Sequence, residues 1–90
     1  MSTTSKTAIV YLTAWHDAQE ALLVARENYR LAFAQAFAAS AGKTGDARKA
    51  DADAATSELR RLRDKAELES TVAWELYTLV KMGVDHPEAA

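Results

Sequence analysis

Few side chains in this sequence combine the type and the spacing that chemistry requires. His16, Asp17 and Glu20 fall within one helical turn, so an imidazole with a carboxylate four residues on offers two ligands to a divalent ion. A complete site needs more. No second histidine lies nearby, His86 stands near the other end of the chain, and there is no cysteine. A solvated polar patch is therefore the expected role, with no metal or other cofactor. Ser40, Ser57 and Ser70 lack an adjacent base and a strained turn to present a nucleophile. Glu67 and Glu69, two apart on a helix, point in different directions and cannot act as a carboxylate pair. The stretch Gly42-Lys43-Thr44-Gly45-Asp46 contains the residue types of a phosphate cradle but neither the GxxxxGK[ST] spacing nor a preceding strand. No catalytic residue and no enzymatic activity are expected.

The one basic concentration is Arg60, Arg61, Arg63 and Lys65, with Arg48 and Lys49 before it. A nucleic-acid surface would place these on one face with few acids. Here Asp51, Asp53, Glu58, Asp64, Glu67 and Glu69 interleave them at helical spacing, so pairing within the helix is the expected role. Nucleic-acid binding through Arg60, Arg61, Arg63 and Lys65 is kept as the alternative.

The elements that must position these groups are long helices. Steps of four and three from Tyr11 reach Trp15, Ala18, Leu22, Ala25, Tyr29, Ala32, Ala36 and Ala39, all apolar, which is the heptad stripe of a helix laid along another helix. One register carries Trp15, Leu22 and Tyr29; after Tyr11 the other carries only alanine, which permits close approach. The spacing predicts helix 1 over about 7–41, after a short frayed arm, and a turn at 42–46 where two glycines occur and Asp46 or Thr44 caps the second helix. Helix 2 is predicted over about 46–82, ended by Gly83 and Pro87, with a loose tail over 84–90. Its stripe reads Ala52, Ala55, Leu59, Leu62, Ala66, Glu69, Ala73, Leu76 and Val80. Glu69 alone is wrong for a core, and it is expected to reach solvent or Arg26.

The 90 residues make one domain over 1–90, and the fold class is all-α: an antiparallel two-helix hairpin, coiled-coil-like, that dimerises into a helical bundle. The dimer is expected because so short a chain buries little, has no disulfide, and carries apolar residues that the seam leaves unused. These gather toward the open end, and the candidate interface is Ile9, Val10, Leu12, Val72, Trp74, Leu79 and Met82. Net charge is −2 with both signs interspersed, so no global field draws the chain to nucleic acid or to an anionic membrane. No apolar run is long enough for a membrane span, and Met1 to Ser5 lacks the character of a signal peptide. A soluble, cytoplasmic protein is expected.

Length and two-helix plan are shared with secreted hairpins of the WXG type. Here, however, the turn reads Ala-Gly-Lys-Thr-Gly, and Tyr77 is followed by Val80 and Lys81 where an acidic residue belongs. The segment from Tyr29 to Glu69 reads as an aromatic and alanine helix end, a glycine turn, then an Arg-Lys-Ala-x-Ala-Asp start to the next helix. In that texture, over about half of its length, the chain resembles small alanine-rich helical proteins of unassigned function encoded by bacteriophages of actinobacteria. The resemblance implies a phage accessory protein acting in recombination, replication or host takeover through contacts with a phage or host protein, in the host cytoplasm. It carries over no functional residues. Two readings stand side by side: a self-associating, non-enzymatic protein-interaction module, and a nucleic-acid-binding accessory protein. For the fold, circular dichroism should report helix over about four fifths of the chain; less than half helix, or any strand, would refute the architecture.

Overall fold

The structure, a computed structural model, describes residues 3–83, with side chains over 7–83. The expectations placed on Met1, Ser2 and on 84–90, including His86, Pro87 and the tail, lie outside the described residues. Three α-helices are present, α1 (Thr3–Ala39), α2 (Gly45–Ala55) and α3 (Ser57–Lys81), with no strand among the described residues. The chain is all-α, as its composition demands. Helix 1 starts earlier than predicted, at Thr3, where a frayed arm was expected. The predicted second helix is two helices rather than one, so the two-helix plan is replaced by α1 with α2 and α3 laid along it in succession.

The interruption falls on Thr56, at φ −113° and ψ 14°. Its hydroxyl donates to the Ala52 carbonyl at 2.6 Å, and its backbone N–H donates to the same oxygen at 3.0 Å. A threonine that bonds back to the fourth preceding carbonyl competes with regular helix geometry and bends the chain there. Residue-type periodicity does not reveal such a break, because a threonine is tolerated in either state.

The connection from α1 to α2 is built from small side chains and one arginine. Thr44 rather than Asp46 is the cap, its hydroxyl accepting from the Ala47 N–H at 3.0 Å. Arg48 donates to the Gly42 carbonyl at 3.1 Å and to the Phe37 carbonyl at 3.4 Å, the latter also accepting from the Ser40 N–H at the end of α1. Gly42 is required by close approach: a Cβ there would stand 2.9 Å from the Ala47 methyl. At the other end, Gly83 takes φ +76° and closes α3 with its N–H on the Val80 carbonyl.

α1 runs antiparallel to α2 and α3, since Ser40 meets Asp51, Tyr29 meets Arg63, Arg26 meets Glu67, Gln19 meets Ser70 and Trp15 meets Trp74. The α1 stripe packs as its spacing predicts, with Leu22 buried and Tyr11, Trp15, Ala18, Ala25, Tyr29, Ala32 and Ala36 half-buried; Ala39 is exposed. On α2 and α3, half of the predicted stripe is in place. Ala52, Ala66 and Val80 are buried, and Leu59 and Ala73 are half-buried. The alternate positions are shifted by one residue: Thr56, Arg63, Ser70 and Tyr77 face α1, while Ala55, Leu62, Glu69 and Leu76 are exposed.

Charge explains the shift. Glu69 opposite Leu22 would lose its hydration against an apolar side chain, a cost of several kcal/mol. Rolling the helix by one position substitutes Ser70, whose hydroxyl donates to the Gln19 side-chain oxygen at 2.6 Å. Arg26 pairs with Glu67, at 3.5 Å, and not with Glu69 as expected. Ala52 and Ala66 sit where the helices approach closely, so Ala52→Leu and Ala66→Leu should each cost about 1–3 kcal/mol by overpacking in a denaturant titration. Ser57→Leu, on an exposed position, should stay within about 0.5 kcal/mol of the parent.

Candidate functional site

The roll of α3 gives the molecule two unlike flanks. On one, Arg26, Tyr29, Arg30 and Phe33 of α1 border a shallow groove with Arg63 and Glu67 of α3. The Arg63 guanidinium lies 4.6 Å from the Tyr29 ring centroid while donating to Asp64. Tyr29, Phe33 and Phe37 succeed one another along α1, with ring centroids 6.0 and 6.4 Å apart. Trp74 belongs to this flank, 4.7 Å from Trp15 and 5.7 Å from Tyr77.

The opposite flank is apolar. Tyr11 and Ala14 of α1 face Leu68, Glu69, Val72, Ala73 and Leu76 of α3 across a groove of about 360 Å³. Farther along, Ala21, Val24 and Ala25 face Leu59 and Leu62 across a second groove of about 350 Å³, bordered by Glu20 and Asn28. Ala14 and Ala21, like Leu62, Glu69 and Leu76, are separated by sevens, so the two grooves continue along one side of the helix pair. Leu62 and Leu76 remain 40% and 37% exposed, although both were expected inside the seam.

The seven predicted interface residues do not form one patch. Val72 lines the apolar groove; Val10, two heptads from Val24, is exposed, and Leu79, also exposed, borders a hollow with Trp74, Glu75 and Thr78. Trp74 is about 200° around α3 from Val72 and packs on Trp15, though it stays 43% exposed. Leu12 is half-buried, while Ile9 and Met82 are exposed. Residue spacing alone assigns Leu62 and Leu76 to the seam and so omits them from the surface. The misfit of Glu69 in that stripe is the signal in the sequence that could have found them.

The four candidate nucleic-acid contacts spread around α3. Arg60 lies 3.6 Å from Asp53, Arg61 holds Glu58 through two hydrogen bonds, and Arg63 is engaged with Asp64 and Tyr29. Arg61 and Lys65 are exposed and lie well around the helix from Arg63. The hydrogen bond from Arg61 holds the Glu58 carboxyl below its ordinary range, and bonds to Glu58 and Asp64 push the Arg61 and Arg63 guanidiniums up. Arg48 serves the α1–α2 connection. Of the groups that sequence spacing singled out for chemistry, His16, Asp17, Glu20, Ser57 and Glu69 are exposed, Glu67 is paired with Arg26, Ser40 bonds Asp51, and Ser70 bonds Gln19. Among the described residues no three His, Cys, Asp or Glu side chains are grouped to hold a metal ion. No helix of the described residues is long and apolar enough to cross a membrane.

Compared with known proteins, the chain matches no family model, no curated protein and no solved structure.

The Ser70–Gln19 bond links α1 to α3 beneath these flanks. Ser70→Ala strands a part-buried amide oxygen and should cost about 1–3 kcal/mol; in a double-mutant cycle with Gln19→Leu the coupling should be about 1 kcal/mol. Strict additivity in thermal or urea unfolding would show that the bond does not form.

Proposed function

We propose that this protein is a non-enzymatic protein-interaction module, working by self-association and by binding a protein partner. The observation that carries the reading is a pair of largely apolar grooves on one side of the molecule, one between Tyr11 and Ala14 of α1 and Leu68, Val72 and Leu76 of α3, the other between Ala21 and Val24 of α1 and Leu59 and Leu62 of α3, with Glu69 and Glu20 among their lining residues. Contiguous apolar surface on a chain with no membrane-spanning helix among its described residues is where another protein binds. The polar side chains add to this reading. Those at the helix contact are used for structure, as with Ser70, Arg48 and Arg63.

The resemblance to actinobacteriophage hairpin proteins supports a phage accessory role in the host cytoplasm, with a phage or host protein as partner. A nucleic-acid accessory function through Arg60, Arg61, Arg63 and Lys65 is the second reading, favoured by their proximity in sequence. The acid partners of Arg60, Arg61 and Arg63 weaken it, because phosphate would have to displace Asp53, Glu58 and Asp64.

Affinity capture from actinobacterial lysate, repeated with Leu62→Glu and Val72→Glu, tests the first reading. One protein should be retained by the parent and lost from both variants. Labelled DNA or RNA should remain unshifted by low-micromolar protein at about 50 mM salt, where phosphate contacts are strongest. A salt-dependent shift abolished by Arg60→Ala and Arg61→Ala would replace the first reading with the second.

A further inference from the structure

We infer that α3 is a two-position element, able to lie along α1 in the observed roll or in a second roll that turns Leu62, Glu69 and Leu76 inward, with the charge of Glu69 as the latch between them. The inference goes beyond the interaction-module reading. It gives the grooves a state in which they are presented and one in which they are withdrawn.

The first observation is that the two rolls share most of their contact. Leu59, Ala66, Ala73 and Val80 are inward in both, and the rolls differ in whether Arg63, Ser70 and Tyr77 or the residues just before them, about 100° away around the helix, complete the stripe. The roll adopted is the more polar one. Leu62 and Leu76 stay 40% and 37% exposed while an arginine, a serine and a tyrosine take the inward places. Of the three residues that would exchange inward, Glu69 is the one that opposes the step, because its carboxylate would meet Leu22 without solvent.

The side-chain contacts that hold the observed roll are also modest. The Ser70 hydroxyl donates to Gln19 at 2.6 Å, the Arg63 guanidinium lies 4.6 Å from the Tyr29 ring centroid, and Arg26 pairs with Glu67 at 3.5 Å between half-exposed side chains. The α1 surface beneath them is smooth. Ala18, Ala25 and Ala32 offer methyl groups there rather than knobs that would fix one roll.

The backbone, finally, has a place to take up the turn. Thr56 already stands off regular helix geometry at φ −113° and ψ 14°, and on its far side α2 is held to the end of α1 by Arg48 on the Gly42 carbonyl and by Ser40 on Asp51. The ion pair across this point, Arg60 with Asp53 at 3.6 Å, joins partly exposed side chains with rotamers to spare. In the second roll Leu62 and Leu76 leave the groove walls, and Arg63 and Ser70 reach solvent.

Thiol labelling reads the roll directly. The chain has no cysteine, so Ser70→Cys and Ala66→Cys each introduce a single thiol, at positions 6% and 8% exposed, and both should resist maleimide in the folded parent. Adding Glu69→Leu should abolish the protection of position 70 and leave position 66, inward in both rolls, protected. The exciton couplet of the two tryptophans, Trp15 and Trp74, whose rings lie 4.7 Å apart in the observed roll, should collapse in Glu69→Leu at unchanged helix content. Thr71→Leu, exposed and in neither stripe, should keep both signals as in the parent. Continued protection of position 70 in Glu69→Leu, with the couplet intact, overturns the inference. Loss of protection at both positions marks unfolding instead of a roll; the same pair of thiols is then read in Glu69→Ala, and loss at both positions there too overturns it. None of these results depends on capturing a partner, so this inference and the interaction-module reading fail separately.

Discussion

Leu22 is buried against α3 at the level where heptad spacing would bring in Glu69, and a carboxylate cannot be left dry there without a cation. That local conflict determines the roll of α3 about its own axis. With Ser70 turned inward, the hydroxyl finds the Gln19 amide oxygen and Glu69 moves out into the wall of a surface groove. A helix rolls as a unit, so the same step brings Arg63 over Tyr29 and Trp74 against Trp15, and carries Leu62 and Leu76 outward. Avoiding one buried charge thus leaves leucine and valine beside alanine in two grooves on one side of the molecule, with Glu69 in line between Leu62 and Leu76.

The two flanks differ because the charged and aromatic groups are segregated by that roll. Arg26, Arg63 and Glu67 gather along one edge, with Tyr29 lending its ring face to Arg63 and Phe33 completing the groove. Exposed ion pairs of this kind contribute little to stability, on the order of 0–1 kcal/mol each. Their value lies in keeping one edge wet. Along the opposite grooves Glu20 and Glu69 stand among apolar lining residues, so that side carries fewer charges.

Backbone detail at Thr56 has a similar local origin. Its doubly bonded contact with the Ala52 carbonyl interrupts the helix on the inward side, between the closely packed α2 and the longer α3. Beyond that point α3 carries the apolar groove residues. The short α2 is held against the end of α1 by Arg48, Gly42 and Ser40, independently of the grooves. The chain therefore divides into a turn region locked by polar contacts and an open region whose remaining apolar surface faces outward.

Much of this was legible from residue spacing. The alanine-rich stripe from Tyr11 to Ala36, the glycine turn, a cap at Asp46 or Thr44 and the helix end at Gly83 obey local rules, since caps, turns and amphipathic period depend on residues within a few positions of one another. The all-helical class is legible for the same reason. Spacing left undetermined which of two overlapping heptad stripes on the second half of the chain would turn inward. Ala52, Leu59, Ala66, Ala73 and Val80 belong to both; the choice between Leu62, Glu69 and Leu76 on the one hand and Arg63, Ser70 and Tyr77 on the other is a difference of about 100° in roll. Only contact with α1 decides it, because the desolvation of Glu69 and the partner for Ser70 exist only once the two helices meet. The break at Thr56 was hidden likewise, and the apolar grooves, being a consequence of the roll, could be located only in the folded chain.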